Sequence, residues 1–263
     1  MLTTRYVTGS PSWIDLGTPD IDAAAAFYTG LFGWTFRPGG PEVGGYGTFQ
    51  AAGKTIAGGM TVPAEQSGPA WNVYFQTPDA DATAKAVEQG GGSITFQPVD
   101  VMELGRSAYF RDPAGVGFSA WQPRQMNGME AAGEQNTLSW VELYTPDVQA
   151  ATAFYHTVFG WETSEVPFPG GTYTTVNPSG AGPDSMFGGV VPIDSDPLEA
   201  EAGPYWMPYY EVADADAIAA KAQELGGQVR MAPVDMADVG RFAKLADPHG
   251  ARFAIIKSAT PTS

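Results

Sequence analysis

The chain has 263 residues, with 13 Lys and Arg against 29 Asp and Glu, a formal charge of −16, two histidines and no cysteine. Such a surface repels phosphate backbones and anionic lipid, so neither nucleic acid nor a membrane is an expected partner, and thiolate chemistry and disulfides are excluded. No apolar run approaches the ~20 residues of a membrane span, and the opening Met1-Leu2-Thr3-Thr4-Arg5-Tyr6 lacks the apolar core of a leader, so a cytoplasmic location is expected.

Taken in chain order, four short strands each run into a helix. Trp13-Ile14-Asp15-Leu16 alternates as a strand, and Thr18-Pro19-Asp20 turns the chain and offers Asp20 as a helix cap. Ile21, Ala24, Ala25, Tyr28, Leu31 and Phe32 recur at helical spacing until Gly33 stops the run. The pattern returns with Asn72 to Gln76 as strand, Asp79 as cap and a helix to about Gly90. It returns again with Val141 to Tyr144, Asp147, and Ala150, Ala151, Phe154, Tyr155 and Val158 before Gly160. The fourth case has Tyr209 to Val212, Asp214, and Ile218, Ala222 and Leu225 before Gly226. Gly-, Thr- and Phe-rich stretches between the helices suit short strands and turns.

These elements belong to a tandem repeat. Residues 12–36 and 139–163 align at an offset of 127, with 14 of 25 positions identical. Gly58-Gly59 answers Gly188-Gly189, Trp71 answers Trp206, Pro98-Val99-Asp100 answers Pro233-Val234-Asp235, and Gly105-Arg106 answers Gly240-Arg241. Asp112-Pro113-Ala114-Gly115 answers Asp247-Pro248-His249-Gly250. The expected organisation is a first domain over 1–125, a polar, Gly-bearing linker over 126–137 and a second domain over 138–263, each long enough for its own core. The fold class is α+β: a duplication of paired βαβββ modules, four in all, with sheets curled into cups and helices outside.

The wording WIDLxTPDxxxAxxFYxxLFGW and GRxAxxxDPxG, present in both halves with small changes, resembles the glyoxalase/bleomycin resistance/dioxygenase superfamily, also called vicinal oxygen chelate. The likeness covers nearly the whole chain and is closest to tandem members named glyoxalase-like or hydroxylase. It implies the cup-shaped fold, and a function drawn from isomerases, lyases, dioxygenases and drug-binding proteins without chemistry. Metal-binding members take ligands from the first strand of each module and a Glu near the end of the last strand. The matching positions here are Trp13, Trp140, Asn72 and Met207, with Ser119 and Ala254 for the late carboxylate, and none is His, Asp or Glu. His156 and His249 fall elsewhere and read as surface residues. No metal and no cofactor is therefore expected in the usual geometry; an all-carboxylate site stays open.

Strand alternation sorts the faces. Trp13, Asp15, Asn72, Tyr74, Gln76, Ser119 and Trp121 would face the first cup, with Ile14, Leu16, Val73, Phe75, Phe118 and Ala120 behind them. Trp140, Glu142, Tyr144, Met207, Tyr209, Glu211, Arg252 and Ala254 would face the second. Aromatic walls with a few acidic groups suit a small aromatic or cationic ligand. They suit equally a filled cup in which Asp15 and Glu142 are satisfied by neighbours such as Tyr74, Tyr209 or Arg252. Arg106 and Arg241 either contact a bound anion or tie strand ends to nearby carboxylates. The leading expectation is a metal-free small-molecule binder that sequesters a drug or metabolite. The first alternative is a glyoxalase-, dioxygenase- or hydroxylase-like enzyme on a small carbonyl or hydroxylated compound, with Glu142, Tyr209 and Glu211 as candidate acid/base groups. The second is a structural or partner-binding protein with filled cups. Four modules suffice for a monomer, and a homodimer stays open.

Overall fold

A computed structural model describes residues 2–63, 68–168, 171–201 and 203–259. The first module is β1 (Pro11–Thr18), α1 (Ile21–Phe32), β2 (Thr35–Arg37), β3 (Gly47–Ala51) and β4 (Lys54–Thr61). The second is β5 (Ala70–Gln76), α2 (Ala80–Gln89), β6 (Ser93–Val101), β7 (Gly105–Arg111) and β8 (Gly117–Pro123). The third is β9 (Leu138–Thr145), α3 (Val148–Phe159), β10 (Glu162–Phe168), β11 (Gly171–Asn177) and β12 (Gly188–Pro192), followed by a one-turn helix α4 (Pro197–Ala200). The fourth is β13 (Tyr205–Glu211), α5 (Ala215–Glu224), β14 (Gln228–Met236), β15 (Gly240–Ala246) and β16 (Arg252–Ser258). This is the expected α+β class with four βαβββ modules in tandem. No helix among the described residues is long and apolar enough to cross a membrane.

Each half forms one eight-stranded sheet, ordered β2-β3-β4-β1-β5-β8-β7-β6 in the first and β10-β11-β12-β9-β13-β16-β15-β14 in the second. Neither sheet closes; the short β2 and the longer β6, β10 and β14 are edges. In every module the first strand lies parallel beside the last, which sets Asp15 against Gly58, Tyr74 against Ser119, Glu142 against Gly189 and Tyr209 against Ala254. All four opening strands begin earlier than alternation indicates, β1 at Pro11 and β5 at Ala70 by two residues each, β9 and β13 by more. β9 starts at Leu138 because its side chains are buried on both faces, which erases the period-two signal. β13 starts at Tyr205 and runs through Pro208, a residue that ordinarily demotes a strand reading.

The four helix-capping aspartates act as the TPD and related motifs indicate. Asp20, Asp79, Asp147 and Asp214 each accept from the backbone N–H three residues on, at 2.9–3.0 Å. Gly33 and Gly160 end α1 and α3 in the left-handed conformation, with φ 73° and 72°.

The chain folds as two compact units, and they do not follow the sequence halves. One comprises Met1–Trp13, Asn72–Gly128 and Trp140–Trp206, so it joins the second and third modules. The other comprises Ile14–Trp71, Met129–Ser139 and Met207–Ser263, so it joins the first and fourth. Each core is aromatic and draws on both halves. In the unit of modules one and four, Tyr28 stacks on Trp34 at 5.5 Å, while Phe32 meets Tyr210 and Phe253. In the unit of modules two and three, Tyr155 stacks on Trp161 at 4.5 Å, and Phe75 and Phe118 of the first half pack on Phe159.

A polar lock sits inside each cluster. The fully buried Tyr28 donates to Asp247 Oδ2 at 3.3 Å and accepts from Trp71 Nε1 at 3.0 Å. Tyr155 donates to Asp112 Oδ2 at 3.4 Å and accepts from Trp206 Nε1 at 3.2 Å. The aspartates are the first residues of the two DPxG turns. Their Oδ1 atoms hold those turns, accepting from Ala114 and Val116 in one and His249 and Ala251 in the other at 2.8–2.9 Å. The tyrosine of the FY motif in one half thus grips the DPxG turn of the other.

The expected linker is also built into a core. Met129, Ala131 and Ala132 are buried, Asn136 Nδ2 donates to the Phe32 carbonyl at 3.0 Å, and the Asn136 carbonyl accepts from Trp34 Nε1 at 2.8 Å. The Asn136 side chain satisfies a neighbouring helix end, while Glu130, Glu134 and Gln135 stay exposed.

Two outcomes are expected. Tyr28→Phe leaves Trp71 Nε1 and Asp247 Oδ2 without a buried partner, so it should lower unfolding free energy in urea by about 1–3 kcal/mol, and Tyr155→Phe should do likewise. Burial raises the Asp112 and Asp247 carboxyls above the usual carboxylate range. The folded state then binds protons more readily than the unfolded chain. The stability they contribute is fully present at acid pH and is lost as pH rises through the raised values. The pair Asp112→Asn and Asp247→Asn should flatten the fall in urea midpoint as pH rises above about 4; an unchanged slope would contradict this.

Candidate functional site

Glu142 in the second half is the focus of the best-formed polar cluster. It lies on β9, is buried, and stands opposite Gly189 of β12. Its two oxygens are both engaged: Oε2 accepts from the Tyr144 hydroxyl at 2.6 Å and Oε1 from the Tyr173 hydroxyl at 2.7 Å. Tyr173 in turn accepts from Trp140 Nε1 at 3.0 Å. Burial, with the Glu142 charge beside it, holds the Tyr173 phenol well above its ordinary pKa, so it stays a donor at any physiological pH. Short bonds from neutral phenols to a carboxylate are of the strong, charge-assisted kind. Chemically the cluster is a buried carboxyl group ringed by Trp140, Tyr144 and Tyr173.

The backbone opposite Glu142 must be glycine. A Cβ on Gly189 would overlap the Tyr173 hydroxyl, so this ring reaches Glu142 only across a bare backbone. The first half repeats the device. Asp15, half-buried on β1, stands opposite Gly58 and accepts from the Tyr46 hydroxyl at 3.2 Å. A Cβ on Gly58 would overlap that hydroxyl too. Register therefore matches Gly58 with Gly189, and not each glycine of Gly58-Gly59 with its counterpart in Gly188-Gly189. The pairing by repeat is one residue out because the second half carries a longer β11–β12 connection.

Other sequence-selected residues divide as follows. Asn72 Nδ2 donates to Ser119 Oγ at 2.9 Å, and the Tyr74 hydroxyl shares a 2.5 Å bond with that of Tyr109. Trp121 is buried, donates to the Met126 carbonyl at 2.8 Å and covers Gly105, so it wedges a turn. Trp13 is buried, at 3% exposure. Met207 and Ala254 are fully buried. Tyr209 packs near Phe242 at 6.4 Å, and Arg252 is half-buried on β16. Glu211 ends β13, accepting from the Ser258 backbone at 2.9 Å and its hydroxyl at 2.6 Å, and lines a shallow depression of about 280 Å³ with Gln135 and Lys257. Arg106 pairs with Asp81 and Asp100, and Arg241 pairs with Asp216 and Asp235 at 2.6–2.9 Å, which is the strand-end tie. His156 is exposed as read, whereas His249 is half-buried with Nε2 enclosed, because its DPxG turn is packed against the core.

Sequence reasoning missed Tyr46 and Tyr173, which donate to the two carboxylates. Both stand at the 127-residue offset, so extending the repeat past its most similar segment would have exposed them. It also missed Tyr109, Tyr205 and Glu199, for which the repeat carries no signal.

The donor set at the superfamily's metal positions does not fit a divalent ion. Indole nitrogens at Trp13 and Trp140 offer no lone pair, Ala254 has no donor, Met207 is a soft thioether, and the Asn72 amide is bonded to Ser119. Among the described residues no three His, Asp or Glu side chains gather as a ligand group.

The fold and this cluster define a duplicated βαβββ protein with an aromatic-ringed carboxylate, Glu142, on the first strand of its third module. The profile of the "Glyoxalase/Bleomycin resistance protein/Dioxygenase superfamily" matches residues 10–119 and 137–255, and the chain belongs to that superfamily. It is 39% identical, over 97% of its length and 95% of the relative's, to the "Anthracycline biosynthesis protein DauV" of Streptomyces sp. (strain C5). It is 37% identical, over 97% of both chains, to CFP32 of Mycobacterium bovis, a protein with a provisional glyoxylase name. Its fold is similar to that of the 2,3-dioxygenase LapB from Pseudomonas sp. KL28, with a TM-score of 0.65 and 15% identity over 97% of this chain and 95% of that one.

Gly189→Ala is expected to destabilise the protein by about 1–3 kcal/mol by displacing Tyr173. The same change made in a Tyr173→Ala background should cost clearly less. Equal costs in urea titrations would mean that the ring does not set the need for glycine.

Proposed function

We propose that the protein binds a planar, hydroxylated aromatic molecule bearing an amine, and that it does so through the Glu142 cluster without a divalent metal. The observation that carries this reading is Glu142 itself, a buried carboxylate ringed by Trp140, Tyr144 and Tyr173. Such a ring of aromatic faces around a negative charge attracts an organic cation by charge and by the ring quadrupoles. It also offers phenol oxygens to ligand hydroxyls. The −16 net charge draws a cationic ligand toward the surface. Relatives named for anthracycline biosynthesis, from two Streptomyces sources, support this ligand class. An anthracycline is a polycyclic, polyhydroxylated aromatic with an amino sugar. The family's metal positions support the metal-free half of the reading, since their donors are unsuited to a divalent ion.

The test is a titration of the full chain with an anthracycline, followed by quenching of the ligand's own fluorescence, with and without chelator. Saturable binding that survives chelator is expected, and Glu142→Gln should weaken it at least about tenfold, the scale of one hydrogen bond to a charged group. No saturable binding, together with stoichiometric uptake of Mn, Fe, Ni or Zn, would overturn the reading in favour of a metalloenzyme.

A further inference from the structure

The two halves diverge beside the carboxylate. In the second half the connection between β12 and β13 spans residues 193–204 and contains a tight turn at Ile193–Ser195 followed by α4. In the first half the connection between β4 and β5 spans only residues 62–69. The longer connection is anchored ahead of its helix. Ile193 is buried, and Asp196 Oδ1 caps the Leu198 N–H at 3.0 Å. On α4, Glu199 is completely buried, which is unusual for a glutamate in a four-residue helix. Its Oε2 accepts from the Tyr205 hydroxyl at 2.6 Å.

Tyr205 links this helix to the Glu142 cluster. Its ring stacks on that of Tyr144, with centroids 5.5 Å apart and planes 15° from parallel. Tyr144 is the donor to Glu142 Oε2. A continuous series therefore runs Glu199, Tyr205, Tyr144, Glu142: two buried carboxylates, each bonded to a phenol, with the two phenols face to face. At the offset of the repeat, Tyr144 corresponds to Gly17. Tyr205, preceding Trp206, corresponds to Ala70, which precedes Trp71. The first half has neither ring of the stack.

We propose that Tyr205 and Glu199 are positioning residues that make the second-half site selective for a planar aromatic ligand, and that the chain takes one such ligand per molecule, in its second half. The proposal rests on Glu142 as the ligand's anchor. Glu199 holds Tyr205 in one rotamer. Tyr205 covers one face of Tyr144 and so fixes the direction of its hydroxyl. That fixes how the Glu142 carboxylate is held and which aromatic surfaces border it. The first half has a carboxylate and one phenol, Asp15 and Tyr46, and carries Gly17 and Ala70 where the second half carries the two stacked rings.

Two measurements test this, one of them independent of any ligand. The first is hydrogen exchange on the unliganded full chain. Glu199→Ala is expected to speed exchange in β9 around residues 142–145 as well as in 193–201, while Glu199→Gln, whose amide oxygen still accepts from Tyr205, should leave β9 protected. Unchanged β9 exchange in Glu199→Ala would overturn the coupling whatever binds. The second is the anthracycline titration. Wild type should saturate at one ligand per chain, and Tyr205→Ala should weaken binding about tenfold, the scale of one aromatic contact. Tyr205→Phe should fall between them. Two equivalent sites per chain, or Tyr205→Ala binding like wild type, would overturn the proposal while leaving Glu142 as anchor. Absence of binding in wild type with the expected exchange pattern would instead sink the ligand reading and leave the positioning series standing.

Discussion

The structure depends on one hydrogen-bonded grip made twice: a tyrosine from the FY motif of one sequence half holding the aspartate of a DPxG turn from the other. Neither bond is short, at 3.3 and 3.4 Å, and neither would contribute much in water. Their weight comes from burial, because every member of Trp71–Tyr28–Asp247 and Trp206–Tyr155–Asp112 lies where an unmatched polar group has no water to turn to. The surrounding aromatic rings can close only when these groups find one another. That requirement draws modules one and four together, and modules two and three. It also explains why the same short motifs stand at equivalent points of both halves.

Much of this architecture is legible in the sequence. The four capping aspartates, the stop glycines and the division of Ile14, Leu16, Val73 and Phe75 into the core follow from local spacing, which is the scale at which sequence speaks plainly. The pairing of modules across halves does not, because a repeat makes each motif equally suited to two partners. Only packing chooses between Asp112 and Asp247 as the acceptor for Tyr28. The polar stretch 126–137 reads as a tether for the related reason that Asn136 serves a helix end and an indole far away in sequence.

The site is less legible than the fold. The acids are visible because they sit on alternating strands, and the replacement of every metal-ligand position is visible through the resemblance to the superfamily. Their phenol donors are not. Tyr46 and Tyr173 lie in the weakly similar part of the repeat, and the reason they reach across the sheet is a missing side chain, at Gly58 and Gly189. Absences of that kind are hard to read from residues alone. Tyr205 and Glu199 lie further still from any pattern, since the first half has nothing equivalent to compare.

The Tyr144–Tyr205 stack has a consequence for how such a chain diversifies. A symmetric pair of identical single-repeat subunits would display every substitution twice, so a ring gained near one carboxylate would appear beside the other as well. Covalent duplication breaks that obligation. Position 17 can stay glycine while position 144 becomes tyrosine, and position 70 can stay alanine while position 205 becomes tyrosine. One copy is then at liberty to specialise while its twin, still carrying an FY motif and a DPxG turn for the other half to grip, is retained as scaffold.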